Sequence, residues 1–208
     1  PTITSVTGTG VTSGTVGGEI LDITGKFYGS VRSNSDAADV IVKYGDPSAA
    51  NQDNWYVATN CQVVTADAGL AADNTPGNFG QIRCLSAPGY GVGHSLSVTI
   101  GIGANQRTSA TFAAKINYAA PIVALYEGAG ANGGSTFGSQ TLQVTGANFG
   151  PIGTPIDSAK YGEGDYQLDA KSCAVSIAHT EITCQTAPGA LWRICTFRKS
   201  AAGIDYFP

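Results

Sequence analysis

The stretch Ile23-Thr24-Gly25-Lys26-Phe27-Tyr28-Gly29 returns later in the chain as Val144-Thr145-Gly146-Ala147-Asn148-Phe149-Gly150. Working outward from it, three further blocks recur in the same order. Val42-Lys43-Tyr44-Gly45-Asp46 returns as Ala159-Lys160-Tyr161-Gly162-Glu163, and Ile82-Arg83-Cys84-Leu85-Ser86-Ala87-Pro88-Gly89 returns as Ile182-Thr183-Cys184-Gln185-Thr186-Ala187-Pro188-Gly189. Ile116-Asn117-Tyr118, followed by Pro121, returns as Ile204-Asp205-Tyr206, followed by Pro208. Ordered recurrence of this kind marks a tandem duplication of one structural unit. The first copy runs from Pro1 to Ala120 and the second from Pro121 to Pro208. Their unequal lengths fall in loops, which tolerate insertion better than strands do: the first copy has an extra segment around Ala66–Gly80 and a longer hairpin around Gly101–Gln106.

Both copies read as all-β. Short Val/Ile/Thr/Tyr-rich stretches alternate with Gly, Pro, Asn and Asp, and aliphatic residues recur at period two in Leu21/Ile23 and Leu142/Val144. The expected strands of the first copy are Ile3–Thr7, Glu19–Thr24, Val40–Tyr44, Cys61–Thr65, Gln81–Leu85, Ser95–Ile100 and Ser109–Tyr118. Those of the second are Ile122–Glu127, Thr141–Thr145, Ser158–Tyr161, Cys173–Ile177, Glu181–Gln185, Leu191–Phe197 and Ile204–Phe207. About seven short strands in ~90–120 residues is the size of an immunoglobulin-like sandwich.

Composition narrows the function. Charged residues are only 12% of the chain, the net charge is −4, and no run of Lys or Arg reaches three residues. Nucleic-acid binding needs basic charge to neutralise phosphates, so it is not expected. No apolar run approaches the ~20 residues that span a bilayer, and membrane insertion of this segment is not expected either. The chain starts at Pro1 without Met or a signal-peptide pattern, as a processed protein or a piece of a longer one would.

Each copy resembles an IPT/TIG domain, the immunoglobulin-like fold of plexins, long surface receptors and Rel-type transcription factors. The resemblance rests on the opening Pro-x-Ile/Val-x-x-Val/Leu, then Gly-Gly…Leu-x-Ile/Val-x-Gly-x-x-Phe/Tyr-Gly. It continues through the Tyr-Gly turn, the Cys…Ile-x-Cys-x-x-Ala-Pro-Gly segment and the terminal Ile-x-Tyr. It implies two tandem immunoglobulin-like β-sandwich domains. The second copy departs from the family after Pro188, where Leu191–Lys199 replaces the usual Gly-rich hairpin.

Five cysteines are present, none in a Cys-x-x-Cys pair and none near a histidine pair, so a zinc site is poorly supported. Cys61 and Cys84 match Cys173 and Cys184 in the repeat, and the expectation is one disulfide per domain, with buried free thiols as the alternative. Disulfides persist in oxidising compartments, which points to an extracellular or cell-surface location. Cys195 has no counterpart; it reads as an intermolecular thiol, a reactive one, or a buried inert one. Trp55 and Tyr56 lie in a polar loop and, with Trp192, are the candidate recognition aromatics for a protein ligand or surface glycans. Phe27, Tyr28, Phe149, Tyr118 and Tyr206 read as core and junction packing, and the Gly128–Gly138 stretch as a flexible connection.

Asp36, Asp39, Asp46 and Asp53, with Asp157, Glu163, Asp165 and Asp169, offer oxygens for Ca²⁺ but lack EF-hand spacing. His94 and His179 have no matching partner in the other copy and no Gly-x-Ser-x-Gly elbow. No enzyme activity, cofactor or metal is therefore expected. No Asn-x-Ser/Thr sequon occurs, while the many Ser and Thr residues leave O-glycosylation open.

Pro1, Pro121 and Pro208 hold the same place in the repeat, as in a slice of a longer head-to-tail array. The leading functional expectation is a structural module stacking end to end, with copies of itself or neighbouring repeats, into a surface fibre. A ligand-binding ectodomain segment of a receptor or adhesin is second, and a carbohydrate-binding accessory module third.

Overall fold

The computed structural model describes residues 1–31, 39–49, 52–66, 79–163 and 166–189. It is all-β and divides into two compact units, Pro1–Tyr118 and Ala119–Pro208.

In the first unit the strands are β1 (Thr2–Thr7), β2 (Thr12–Ser13), β3 (Ile20–Lys26), β4 (Val40–Gly45) and β5 (Tyr56–Val57). They continue with β6 (Thr59–Thr65), β7 (Gly80–Leu85), β8 (His94–Ile100), β9 (Arg107–Thr108) and β10 (Phe112–Tyr118). One sheet has the order β1-β3-β7-β6; the other runs β2-β10-β8-β4-β5, with β9 on β8. All pairs are antiparallel except β2–β10. Period-two alternation decides what fills the space between the sheets. Leu21, Ile23, Val63 and Ile82 from one sheet, and Val42, Leu96, Val98 and Ile116 from the other, belong to one buried cluster. Burying each such side chain contributes roughly 1.5–3 kcal/mol.

In the second unit the strands are β11 (Ile122–Glu127), β12 (Thr141–Ala147), β13 (Lys160–Glu163), β14 (Tyr166–Asp169), β15 (Lys171–Ile177) and β16 (Glu181–Gln185). Its first sheet, β11-β12-β16-β15, repeats the order of β1-β3-β7-β6, and β13 pairs with β14 as β4 pairs with β5. Among the described residues its core gathers Leu142, Val144, Phe149, Tyr161, Val175 and Cys184. The expected strands Leu191–Phe197 and Ile204–Phe207 lie outside the described residues.

The motif that reveals the duplication makes the same structure twice. A register shift falls between Ile3 and Ser5 where β1 meets β3, and between Val123 and Leu125 where β11 meets β12. Opposite each shift sits a glycine, Gly25 or Gly146, where an added Cβ would collide with the carbonyl oxygen of Thr2 or Ile122. Two residues on, Phe27 and Asn148 share a left-handed backbone, with φ of 64° and 61°. That is unusual for a bulky residue such as Phe, so the glycine-led turn outweighs the local preference.

The Gly128–Gly138 connection is more fastened than its composition suggests. The Gly130 amide donates to Thr141 O (2.9 Å), the Ala131 amide to Gly128 O (3.0 Å) and the Gly138 amide to Ser135 O (3.0 Å), and Ala131 is buried. Backbone hydrogen bonds, rather than side-chain bulk, order this loop.

Candidate functional site: an aromatic cluster under a glycine-rich loop

Each unit is fastened where its Ala-Pro-Gly segment leaves β7 or β16. The Ser86 amide donates to Glu19 O and the Gly18 amide to Ser86 O, both at 2.8 Å. The equivalent Thr186–Gln140 and Ser139–Thr186 bonds are 2.9 and 2.8 Å. Gly89 and Gly189 donate to Thr15 O and Thr136 O, each at 2.9 Å. A tyrosine from the facing sheet closes each arrangement: the Ala87 amide donates to the Tyr44 hydroxyl, and the Ala187 amide to the Tyr161 hydroxyl, both at 2.8 Å.

Around Tyr44 the first unit builds more. The Tyr118 hydroxyl donates to Ala87 O (2.7 Å) and lies 2.7 Å from the Tyr44 hydroxyl. Tyr56, directly opposite Tyr44 in the β4–β5 pair, sets its ring 5.5 Å from those of Tyr44, His94 and Tyr118. Its hydroxyl accepts from the Tyr90 amide and donates to the Tyr90 carbonyl, both at 3.2 Å. His94 Nε2 also reaches Tyr90 O, at 3.0 Å. The Tyr118 amide donates to Gly91 O (2.9 Å) and the Gly93 amide to Asn117 Oδ1 (2.8 Å). The loop over residues 89–93 is thus tied from several sides, with Tyr90 (37% exposed) and Val92 at its surface. Burial raises the acidities' midpoints of Tyr44, Tyr56 and Tyr118, so all three phenols stay neutral and able to donate. Burial pushes His94 the other way, below its ordinary range.

The residues singled out from sequence are placed as follows. Cys61 bonds to Cys84 and Cys173 to Cys184, each joining neighbouring strands of one sheet, β6 to β7 and β15 to β16. Two disulfides fit an oxidising, extracellular-type environment. Trp55 does not protrude as a recognition aromatic: it is 7% exposed, its ring packs on Gly45, and its indole N–H donates to Asp46 O (3.1 Å). The polar loop is open, but a bare glycine on β4 makes a seat for the indole. Tyr56 is half-buried with its hydroxyl engaged by Tyr90. Trp192, Cys195, Asp36 and Asp165 lie outside the described residues.

Asp46 turns back to the Ser48 amide (2.8 Å) and hydroxyl (2.7 Å), which hold its carboxyl below the usual carboxylate range. Asp169 sits 3.6 Å from Lys160 at the surface. Among the described residues no three His, Cys, Asp or Glu side chains gather as a metal site, and no helix is long and apolar enough to cross a membrane.

The cluster itself escaped sequence reading, although Tyr118 and His94 were both visible as candidates for other roles. The recoverable signal is Pro88-Gly89-Tyr90-Gly91-Val92-Gly93-His94: three alternating glycines flanking a tyrosine and ending on a histidine at the start of a strand. Compared with family models, curated protein sequences and solved structures, the chain finds no match.

Proposed function

We propose that the chain is a pair of tandem immunoglobulin-like sandwich domains of the IPT/TIG type, acting as a non-enzymatic extracellular module that assembles into a surface fibre. The strand orders support the domain type. If β1, β3, β7 and β6 are taken as A, B, E and D, and β4, β8 and β10 as C, F and G, the first unit has the ABED and CFG sheets of an immunoglobulin sandwich. Its disulfide departs from the antibody arrangement, joining D to E within one sheet rather than B to F across the core.

One observation carries the assembly reading. On the outward face of β1 stand Thr2 and Ser5; at the same positions of β11 stand Ile122 (53% exposed) and Leu125 (50% exposed). Leu125 is paired with Thr145 on the solvent side, while its neighbour Tyr126 packs on the core. A surface strand that exchanges hydroxyls for solvent-facing aliphatic side chains favours association, and it does so on an edge strand, where pairing with another chain is also available.

Electron microscopy of the purified chain tests this. Fibres with a repeat of a few nanometres per domain are expected, and the double substitution Ile122→Thr with Leu125→Ser, which restores the first unit's residues, disperses them. Monodisperse monomers at high concentration favour a ligand-binding ectodomain segment instead, with the exposed Tyr90 and Val92 of the 89–93 loop as the surface to probe.

A further inference from the structure

His94 opens β8 and is a buried residue, 7% exposed, whose ring lies among three tyrosine rings with centroids 6.3 Å away for Tyr44, 5.5 Å for Tyr56 and 5.8 Å for Tyr118. Its Nε2 faces the Tyr90 carbonyl at 3.0 Å. A carbonyl only accepts, so the neutral ring carries its proton on Nε2. Nδ1 is then left as a lone-pair acceptor, buried and without a hydrogen-bond partner among the described residues. Protonation places an N–H there with nothing to receive it, and puts a charge among uncharged phenols.

The groups facing the ring come from every element around it. They are Tyr44 on β4, Tyr56 on β5, Tyr118 on β10, the Tyr90 carbonyl of the loop, and the more distant Asp46 carboxylate. Asp46 is exposed and already bonded to Ser48, so it offsets little of the cost of burying the imidazolium. The net effect of burial is to push His94 below its ordinary value of 6.5.

We infer that His94 is an acid-sensitive latch of the first unit: neutral, it holds the 89–93 loop through the Tyr90 carbonyl; charged, it leaves the cluster for water and the loop is released. A His held neutral by the folded state contributes its full stability above the ordinary value and loses it as pH falls below 6.5. Gly91 in the middle of the loop and Gly93 at its end have left-handed backbones, with φ of 96° and 72°, that other residues resist. Release would uncover Tyr56 and the buried Tyr118, so acid would change the surface that the first unit presents.

The test is nuclear magnetic resonance on the whole chain between about pH 7.5 and about pH 5, the range in which histidine changes charge. His179→Gln assigns the two histidine signals. The latch requires the Nε2–H tautomer at neutral pH and a His94 midpoint below 6.5. It also requires the hydrogen-exchange protection factors of the Tyr118 and Gly93 amides to fall by about tenfold or more on acidification. In His94→Gln, whose side-chain amide can still donate to Tyr90 O but cannot charge, those protection factors stay constant. A midpoint at or above the ordinary value, unchanged protection in the native chain, or equal loss in His94→Gln each overturns the latch. Should His94→Gln not fold, the tautomer, midpoint and protection of the native chain decide.

Discussion

The two units place the same tyrosine in different company. Tyr44 and Tyr161 both receive the amide of the alanine before Pro-Gly, at the same distance, and both stand on the strand that follows the duplicated glycine turn. Opposite Tyr44 is Tyr56; opposite Tyr161 is Leu168. Leucine brings no hydroxyl to that position, and the Cβ direction of Gly189 meets Leu168 where that of Gly89 meets Tyr118. The tyrosine–alanine clamp therefore belongs to the repeat itself, whereas among the described residues the ring of Tyr56 and the loop it fastens occur in the first unit. A shared motif marks what the fold needs, and the departures mark where the units are specialised.

The deepest test of their equivalence lies in the cores. Leu21→Ala and Leu142→Ala remove matched, fully buried side chains, and each is expected to cost its own unit about 2–5 kcal/mol. Denaturation followed by Trp55 fluorescence in a Trp192→Phe background reads the first unit; hydrogen exchange at β12 and β16 amides reads the second. A cost well below that range in the second unit alone would show that its core is not the counterpart of the first. Reducing the disulfides comes next. By chain entropy, the sequence separations of 23 and 11 predict losses of about 3.4 and about 2.8 kcal/mol, so the first unit should soften more.

Tyr44→Phe strands the buried Ala87 amide and takes a partner from Tyr118, for about 1–3 kcal/mol, while Tyr161→Phe, at a less buried hydroxyl, costs about 0.5–1.5 kcal/mol. Equal losses would mean that the extra rings add nothing to the clamp. The smallest effect is expected at the surface. Asp22 and Arg83 form a two-bond ion pair where the second unit has Gln143 and Thr183. Exposed pairs of this kind are screened by solvent, so Arg83→Thr should leave the melting temperature of the first unit nearly unmoved at physiological salt.

Much of the framework was legible in the chain. Ile122–Glu127 and Glu181–Gln185 are strands with those very bounds: the first is a short apolar run and the second alternates, and turn residues flank both. Ser109–Tyr118 was too long: Ser109 sits at a break, its hydroxyl bonded to the Val98 amide, and β9 and β10 flank it. Tyr166–Asp169 was missed although Gly164-Asp165 is a two-residue turn signal, since four residues show too little periodicity to stand out. Tyr56–Val57 and Thr12–Ser13 are shorter still and exist because a neighbouring strand supplies their hydrogen bonds.

What the chain determined by itself is therefore local or repetitive: the duplication, the strand positions, the glycine turns and the matched cysteines. These follow from spacing, and spacing survives in a linear text. Tertiary structure alone decided that Trp55 is seated on Gly45 rather than displayed, that Tyr56 faces Tyr44, and that His94 is shut among phenols with one nitrogen unpartnered among the described residues. Those outcomes depend on which residues far apart in sequence come to share one end of a sandwich. Burial and hydrogen-bond satisfaction are properties of that meeting, not of any residue in it.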